Sequence, residues 1–250
     1  MPHDPLYDII EDAKRLVQAA AHPHKGTVSL SPETEALLDK IVATSPVLSP
    51  LSASEPLSID PLSRLDALEE TVRSCQLCGL CEGRTQTVFS EGSPTADLMF
   101  IGEAPSEEED QQGLPFVGPA GQLLTDIITK GMMLKRKDVY LCNVIKCRPP
   151  HSRDPLPEEK AACEPYLLQQ LDLVLPKVIC VLGSHAAKTL LNTDESTANL
   201  RGQWHFYHGI PVRVTYHPAY LLRSPDEKRK TWEDVQQIMK VLKGEITPTP

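Results

Sequence analysis

Residues 98–124 read LMFIGEAPSEEEDQQGLPFVGPAGQLL. The opening run, Leu98 to Ile101, is apolar, too short for a helix and closed by Gly102. That is the pattern of a buried parallel strand. The chain leaves it through Gly102-Glu103-Ala104-Pro105-Ser106, a turn rich in Gly and Pro at the carboxyl end of a strand, where open α/β sheets place their ligands. An acidic run, Glu107 to Asp110, follows. Next comes the apolar loop Leu114-Pro115-Phe116-Val117-Gly118-Pro119, which carries one aromatic ring. From Ala120 helical spacing returns through Leu123, Leu124, Ile127 and Ile128. A carboxylate at a strand end and a Phe on a stiff loop can together hold a flat polar ring, with a face for stacking and an acid beside it.

Working outward, the same alternation continues. Apolar runs at 139–145, 178–182 and 212–216 read as further strands. Helical spacings cover 120–133, 157–175, 184–191 and 226–242. Strand–helix alternation of this kind predicts an α/β fold, a three-layer α/β/α arrangement around a mainly parallel sheet of four strands. Upstream, Leu62, Leu65, Leu68 and Val72 form an amphipathic turn or two, so the folded domain is expected to span 61–250. Residues 1–60 differ. Residues 1–22 place Leu6, Ile9, Ile10, Ala13, Leu16 and Val17 on one helical face, suited to packing on the domain or docking a partner protein. Residues 23–60 are rich in Pro, Ser, Thr and Ala and lack aromatics, a linker composition.

Composition bounds the function. The formal net charge is −9, and residues 1–70 carry 12 acids against 5 bases, so most of the acid excess lies at the front. The remaining chain is near neutral and can present a local basic face to nucleic acid. No stretch approaches the roughly 18 apolar residues of a membrane span. The N-terminus lacks a secretory pattern, and a cytoplasmic protein is expected. In such a chain the 7 Cys point to metal or buried thiols rather than disulfides.

Three sets of residues carry chemistry. Cys75 and Cys78 form a C-x-x-C pair, and Cys147 and Cys163 flank the polar loop 148–157. Four thiolates can hold zinc or an iron–sulfur cluster, with Cys81 as a competing ligand. Cys142 and Cys180 lie in strand runs and read as inert buried thiols. Asn143, near the end of its run, offers the donor and acceptor that a nucleobase edge demands. His217 precedes Pro218 at the end of the last strand, on the rim shared by Glu103 and Asn143. The other histidines, His185 among them, show no such convergence.

The blocks Gly102-Glu103-Ala104-Pro105, Pro115-Phe116-Val117-Gly118, Asn143-Val144-Ile145-Lys146-Cys147-Arg148-Pro149-Pro150 and His217-Pro218-Ala219-Tyr220-Leu221-Leu222-Arg223 resemble, in order, the signature blocks of family 4 uracil-DNA glycosylases. The likeness runs from about Cys75 to Leu242. It implies a monofunctional glycosylase, expected as a monomer, that hydrolyses deoxyuridine in DNA to free uracil and an abasic site. It implies a [4Fe–4S] cluster on Cys75, Cys78, Cys147 and Cys163, and catalytic roles for Glu103 and His217. Phe116 matches the ring that stacks on the flipped uracil, Asn143 the amide that reads its edge, and Glu109 an acid that crowds out the thymine methyl. Ala104 falls on the substrate side of the first block. Ser106 departs from the family's usual Gly and is expected to narrow or re-tune the pocket. Rival readings are a glycosylase of broader base tolerance and a non-catalytic, polymerase-associated DNA-binding module. Phosphate contacts are expected from Arg148, Arg153, Arg201, Arg223, Lys228, Arg229 and Lys230, with Leu221 or Leu222 as a wedge.

Overall fold

The strand that opens the quoted stretch runs from Leu98 to Gly102 with every residue buried, and the rest of the molecule is layered on it. The computed structural model describes residues 61–249; the amphipathic segment 1–22 and the linker 23–60 lie outside them. In chain order the strands are β1 (Glu91–Gly92), β2 (Leu98–Gly102), β3 (Tyr140–Asn143), β4 (Val178–Leu182), β5 (Trp204–Tyr207) and β6 (Ile210–Thr215). The helices are α1 (Pro61–Arg73), α2 (Glu107–Gln112), α3 (Gly118–Asp126), α4 (Pro157–Val174), α5 (Ser184–Leu191), α6 (Thr197–Leu200), α7 (Pro218–Arg223) and α8 (Lys228–Leu242).

The sheet has six strands in the order β1-β3-β2-β4-β6-β5. The four expected strands form its parallel centre, with Ile101 opposite Cys142 and Val181 opposite Val214. The expected count of four is corrected to six by two antiparallel edges. Neither edge has a buried apolar run to announce it. β1 has two residues, and β5 is only half-buried over Trp204 to Phe206. His208 and Gly209, both at positive φ, close the β5–β6 hairpin.

Side chains alternate across the sheet and so separate two cores. Met99, Ile101, Tyr140, Cys142, Ile179, Val181, Val212 and Val214 face α1, α4 and α5. Leu98, Phe100, Leu141, Val178, Cys180 and Leu182 face α3 and α8 through Leu124, Val235 and Ile238. Each such buried aliphatic or aromatic side chain contributes about 1.5–3 kcal/mol, so the three-layer arrangement follows from the alternation itself. The spacing that predicted one helix over 120–133 covers α3 and a π-turn at Ile127–Gly131, where the Met132 N–H reaches back to the Ile127 carbonyl.

β6 departs from apolar alternation. Arg213 and Thr215 point into the α3/α8 side, and fully buried Asp234 of α8 receives both. Its carboxylate accepts hydrogen bonds from Arg213 Nε (3.1 Å), Thr215 Oγ1 (3.0 Å), Arg201 Nε (3.0 Å) and the Gly202 N–H (3.3 Å). A buried carboxylate with four donors is a satisfied one. It ties α8 to the strand that ends two residues before His217.

Candidate active site

All parallel strands point their carboxyl ends to one rim, and a cleft of about 740 Å³ opens there. Glu103 and Ala104 enter it from the end of β2, Asn143 from β3, His217 from the end of β6, Glu109 from α2, and Phe116 from the loop linking α2 to α3. The six non-cysteine residues expected at the site therefore share one cavity. The rings of Phe116 and His217 lie 6.4 Å apart between centroids, tilted by 35°.

Asn143 is 2% exposed, and its Nδ2 is buried without a hydrogen-bond partner. Orphaned donors are rare in folded proteins because each costs about 1–3 kcal/mol. Gly102 lets this amide approach the backbone. A Cβ there would stand 2.3 Å from Asn143 Oδ1 and 2.9 Å from Phe116 Cζ. Gly102→Ala is accordingly expected to leave the sheet paired while displacing both side chains. A drop in kcat/KM of roughly a hundredfold with a far-UV spectrum like the parent's is the expected result; steady-state assay beside circular dichroism checks it.

Phe116 adopts φ 53, a strained value for an aromatic residue. Its backbone is held from two sides. Its N–H donates to Glu109 Oε1, and Arg136 Nη2 donates to the carbonyls of Pro115 (2.9 Å) and Phe116 (3.1 Å). Arg136 is itself fixed by Glu91, at 2.9 and 2.6 Å. The other oxygen of Glu109 accepts the Ser106 N–H at 2.6 Å, and Ser106 Oγ accepts the Glu109 N–H at 3.3 Å. This is a capping box at the start of α2. Ser106 Oγ thus caps its own helix while the residue lines the cleft, and the Glu109 carboxylate, also on the cleft wall, holds two backbone amides. Desolvation raises its pKa, and the N–H donors from Ser106 and Phe116 oppose that rise.

His217 caps α7, its Nδ1 accepting the Ala219 N–H at 3.1 Å. A nitrogen that accepts carries no proton, so the neutral ring bears its hydrogen on Nε2. Burial, followed by the charge of Arg223 and then of His185, pushes its pKa down to about 4. At neutral pH the ring is an uncharged N–H donor. Glu103 is one-fifth exposed and its Oε1 is buried without a hydrogen-bond partner. Burial raises its pKa.

Away from the cleft, Cys75, Cys78, Cys81, Cys147 and Cys163 line one small cavity with Arg84 and Tyr166. All 7 cysteines are free thiols, and Cys142 and Cys180 are fully buried in their strands. Arg84 Nη1 donates to Cys147 Sγ at 3.1 Å, and the Lys146 N–H donates to Cys163 Sγ at 3.3 Å. Among the described residues, no three of these thiols lie within 4.8 Å of one another. Lys146 is 1% exposed; its Nζ donates to the Asn143 carbonyl at 2.5 Å and to Gln170 Oε1 at 2.6 Å. One residue therefore connects the thiol cluster to the main chain at Asn143.

The expected phosphate contacts are reduced by internal pairing. Arg148 faces Asp110, Arg153 pairs with Glu159, Arg201 with Asp234, Arg229 with Glu233 and Lys230 with Glu227. Arg223 remains on the cleft lining. Leu221 is buried in the core, whereas Leu222 is 45% exposed, so only Leu222 is free to act as a wedge. Sequence reasoning left Arg136 and Lys146 without roles, and no local pattern marks them. His185, also left unassigned, had a usable signal: it follows Gly183-Ser184 at the end of β4, on the same rim as Glu103 and His217. No helix among the described residues is long and apolar enough to cross a membrane.

Comparison with known proteins gives the same direction. A model of the uracil DNA glycosylase superfamily matches residues 89–236. A type-4 uracil-DNA glycosylase of Sulfurisphaera tokodaii is 42% identical over 195 residues, which is 75% of this chain and 87% of that protein. Those of Saccharolobus solfataricus and Thermotoga maritima are each 41% identical, covering 72% of this chain and 88% and 96% of their own.

Proposed function

This chain belongs to the type-4 uracil-DNA glycosylases of the uracil DNA glycosylase superfamily, and on that premise we propose that it excises uracil from DNA with the cleft residues in the following roles. The observation that carries the reading is the orphaned Asn143 Nδ2, buried beside the ring of Phe116 and across from His217. A base swung out of the stack costs a few kcal/mol, and stacking on Phe116 offsets roughly 1–3 kcal/mol of it. The Asn143 amide donates to uracil O4 and accepts from N3–H. Cytosine presents the reverse pattern and is refused.

As the N-glycosidic bond lengthens, positive charge grows on the sugar and negative charge on the base. The Nε2–H of neutral His217 donates to uracil O2, stabilising charge that appears only late in the reaction. Glu103, ionised, holds the attacking water and faces the cationic sugar. Glu109 and Arg136 act by position, keeping Phe116 in its strained conformation. A broader substrate range finds no support in Ser106, whose hydroxyl caps α2. Release of labelled uracil from an oligonucleotide, followed by alkaline cleavage of the abasic site, tests the activity. Binding without base release would leave only the non-catalytic reading.

Cys75, Cys78, Cys147 and Cys163 are assigned to a [4Fe–4S] cluster. The donor set supports it: four thiols from three segments of the chain line one cavity, with Arg84 and the Lys146 N–H supplying hydrogen bonds to sulfur. The cluster would cross-link the segment after α1 to the segment after β3, since hydrolysis moves no electrons. Purified protein is expected to carry about four irons and a broad brown absorbance. Cys163→Ser is expected to lose that absorbance. Stoichiometric zinc in a colourless preparation would overturn the assignment.

A further inference from the structure

His185 opens α5 directly after β4, and its ring enters the cleft beside Glu103. Its Nδ1 lies 3.7 Å from Glu103 Oε1 and 3.3 Å from Asp154 Oδ2, so one imidazole stands between two carboxylates from different segments. The Glu103 oxygen it faces has no hydrogen-bond partner of its own. None of the catalytic roles above uses His185 or Asp154.

We infer that His185, held by Asp154, is a positioning residue that keeps Glu103 ionised in the cleft. The inference rests on the role given to Glu103 in the proposed function. Its physical content is a line of alternating charge. Glu103 leaves water on entering the cleft, and burial favours its protonated form. The His185 imidazole, 3.7 Å away, favours the ionised form. The remaining charged neighbours are Asp154, whose like charge works against ionisation, and Lys160 of α4, whose charge works for it. On the far side of the cleft, burial first, and then the charges of Arg223 and His185, keep His217 neutral. The His185 side chain is 48% exposed, so solvent screens the effect and the shift it produces is modest.

The test is the pH profile of single-turnover uracil release by the full chain with its cluster. His185→Asn is expected to move the acidic limb of kcat/KM to higher pH by about half to one unit, a loss of roughly three- to tenfold on that limb. The loss grows as pH falls, whereas a merely structural defect lowers the rate equally at every pH. His185→Lys, which restores a cation, is expected to bring the limb back. An unmoved limb in the first variant, a uniform loss, or failure of the second to restore it each overturn the inference. A readout independent of activity separates this from failure of the proposed function. In protein labelled with carboxyl-¹³C glutamate, the Glu103 resonance, assigned by its loss in Glu103→Gln, is expected to titrate at higher pH in His185→Asn than in the parent. Equal titration in both overturns the inference even where uracil is released. The expected shift in a protein that releases no uracil would uphold the charge coupling while the glycosylase reading fails.

Discussion

Replacing Asn143 with Asp is expected to lower kcat/KM on a uracil oligonucleotide by about a thousandfold, equivalent to about 4 kcal/mol of transition-state stabilisation. The side chain is 2% exposed, and its Nδ2 has no competing partner among the described residues. The substitution removes the donor aimed at O4 and puts an acceptor in its place, so a hydrogen bond becomes a lone-pair repulsion in a site from which water is largely excluded. The effect is confined to recognition. Lys146 Nζ bonds the backbone carbonyl of residue 143, which the substitution leaves intact. The parallel pairing of Gly102 with residue 143 depends equally on main chain. The discrimination against cytosine is expected to collapse along with the uracil rate, because an acid that carries a proton can match cytosine's edge. Single-turnover assays on matched uracil and cytosine oligonucleotides measure both quantities. A uracil rate like the parent's would refute the edge-reading role.

Asp234→Ala is expected to cost about 3–5 kcal/mol of stability and roughly 10 °C in Tm. The carboxylate is fully buried, and removing it strands two guanidinium groups, Arg213 at 5% and Arg201 at 14% side-chain exposure. Thr215 Oγ1 and the Gly202 N–H lose an acceptor at the same time. Asp234→Asn keeps the shape and loses only the charge, so it is expected to fall between the parent and the Ala variant. Arg213 lies over the Trp204 ring at 5.3 Å, which makes tryptophan fluorescence in a urea titration a direct report on the network. A midpoint like the parent's in the Ala variant would mean that the four donors find other partners.

The parts of the fold that could be read from sequence are those whose signal is local. β4 and α5 have the residue bounds that their apolar run and helical spacing predicted. β2, β3 and β6 lie within two residues of theirs, because a strand buried on both faces must be apolar throughout. The two edge strands were hidden because each is half-solvated and takes its pairing from a neighbour rather than from its own pattern. The site follows the same division. Glu103, Asn143 and His217 were legible because each ends a strand, and the sheet places strand ends on one rim. Their partners were not. Arg136 reaches Glu91 across 45 residues, and Gln170 meets Lys146 across 24. No periodicity within either segment encodes the other. Ser106 and Glu109 form a capping box at the start of α2, and its S-x-x-E spacing is a local pattern present in the sequence.

Lys146 joins the thiol cluster to the main chain at Asn143 through two bonds of a single residue, one from its backbone N–H to Cys163 Sγ and one from its side-chain tip to the Asn143 carbonyl. A displacement of the cysteine-bearing segments is therefore passed through one residue to the end of β3, where the cleft begins.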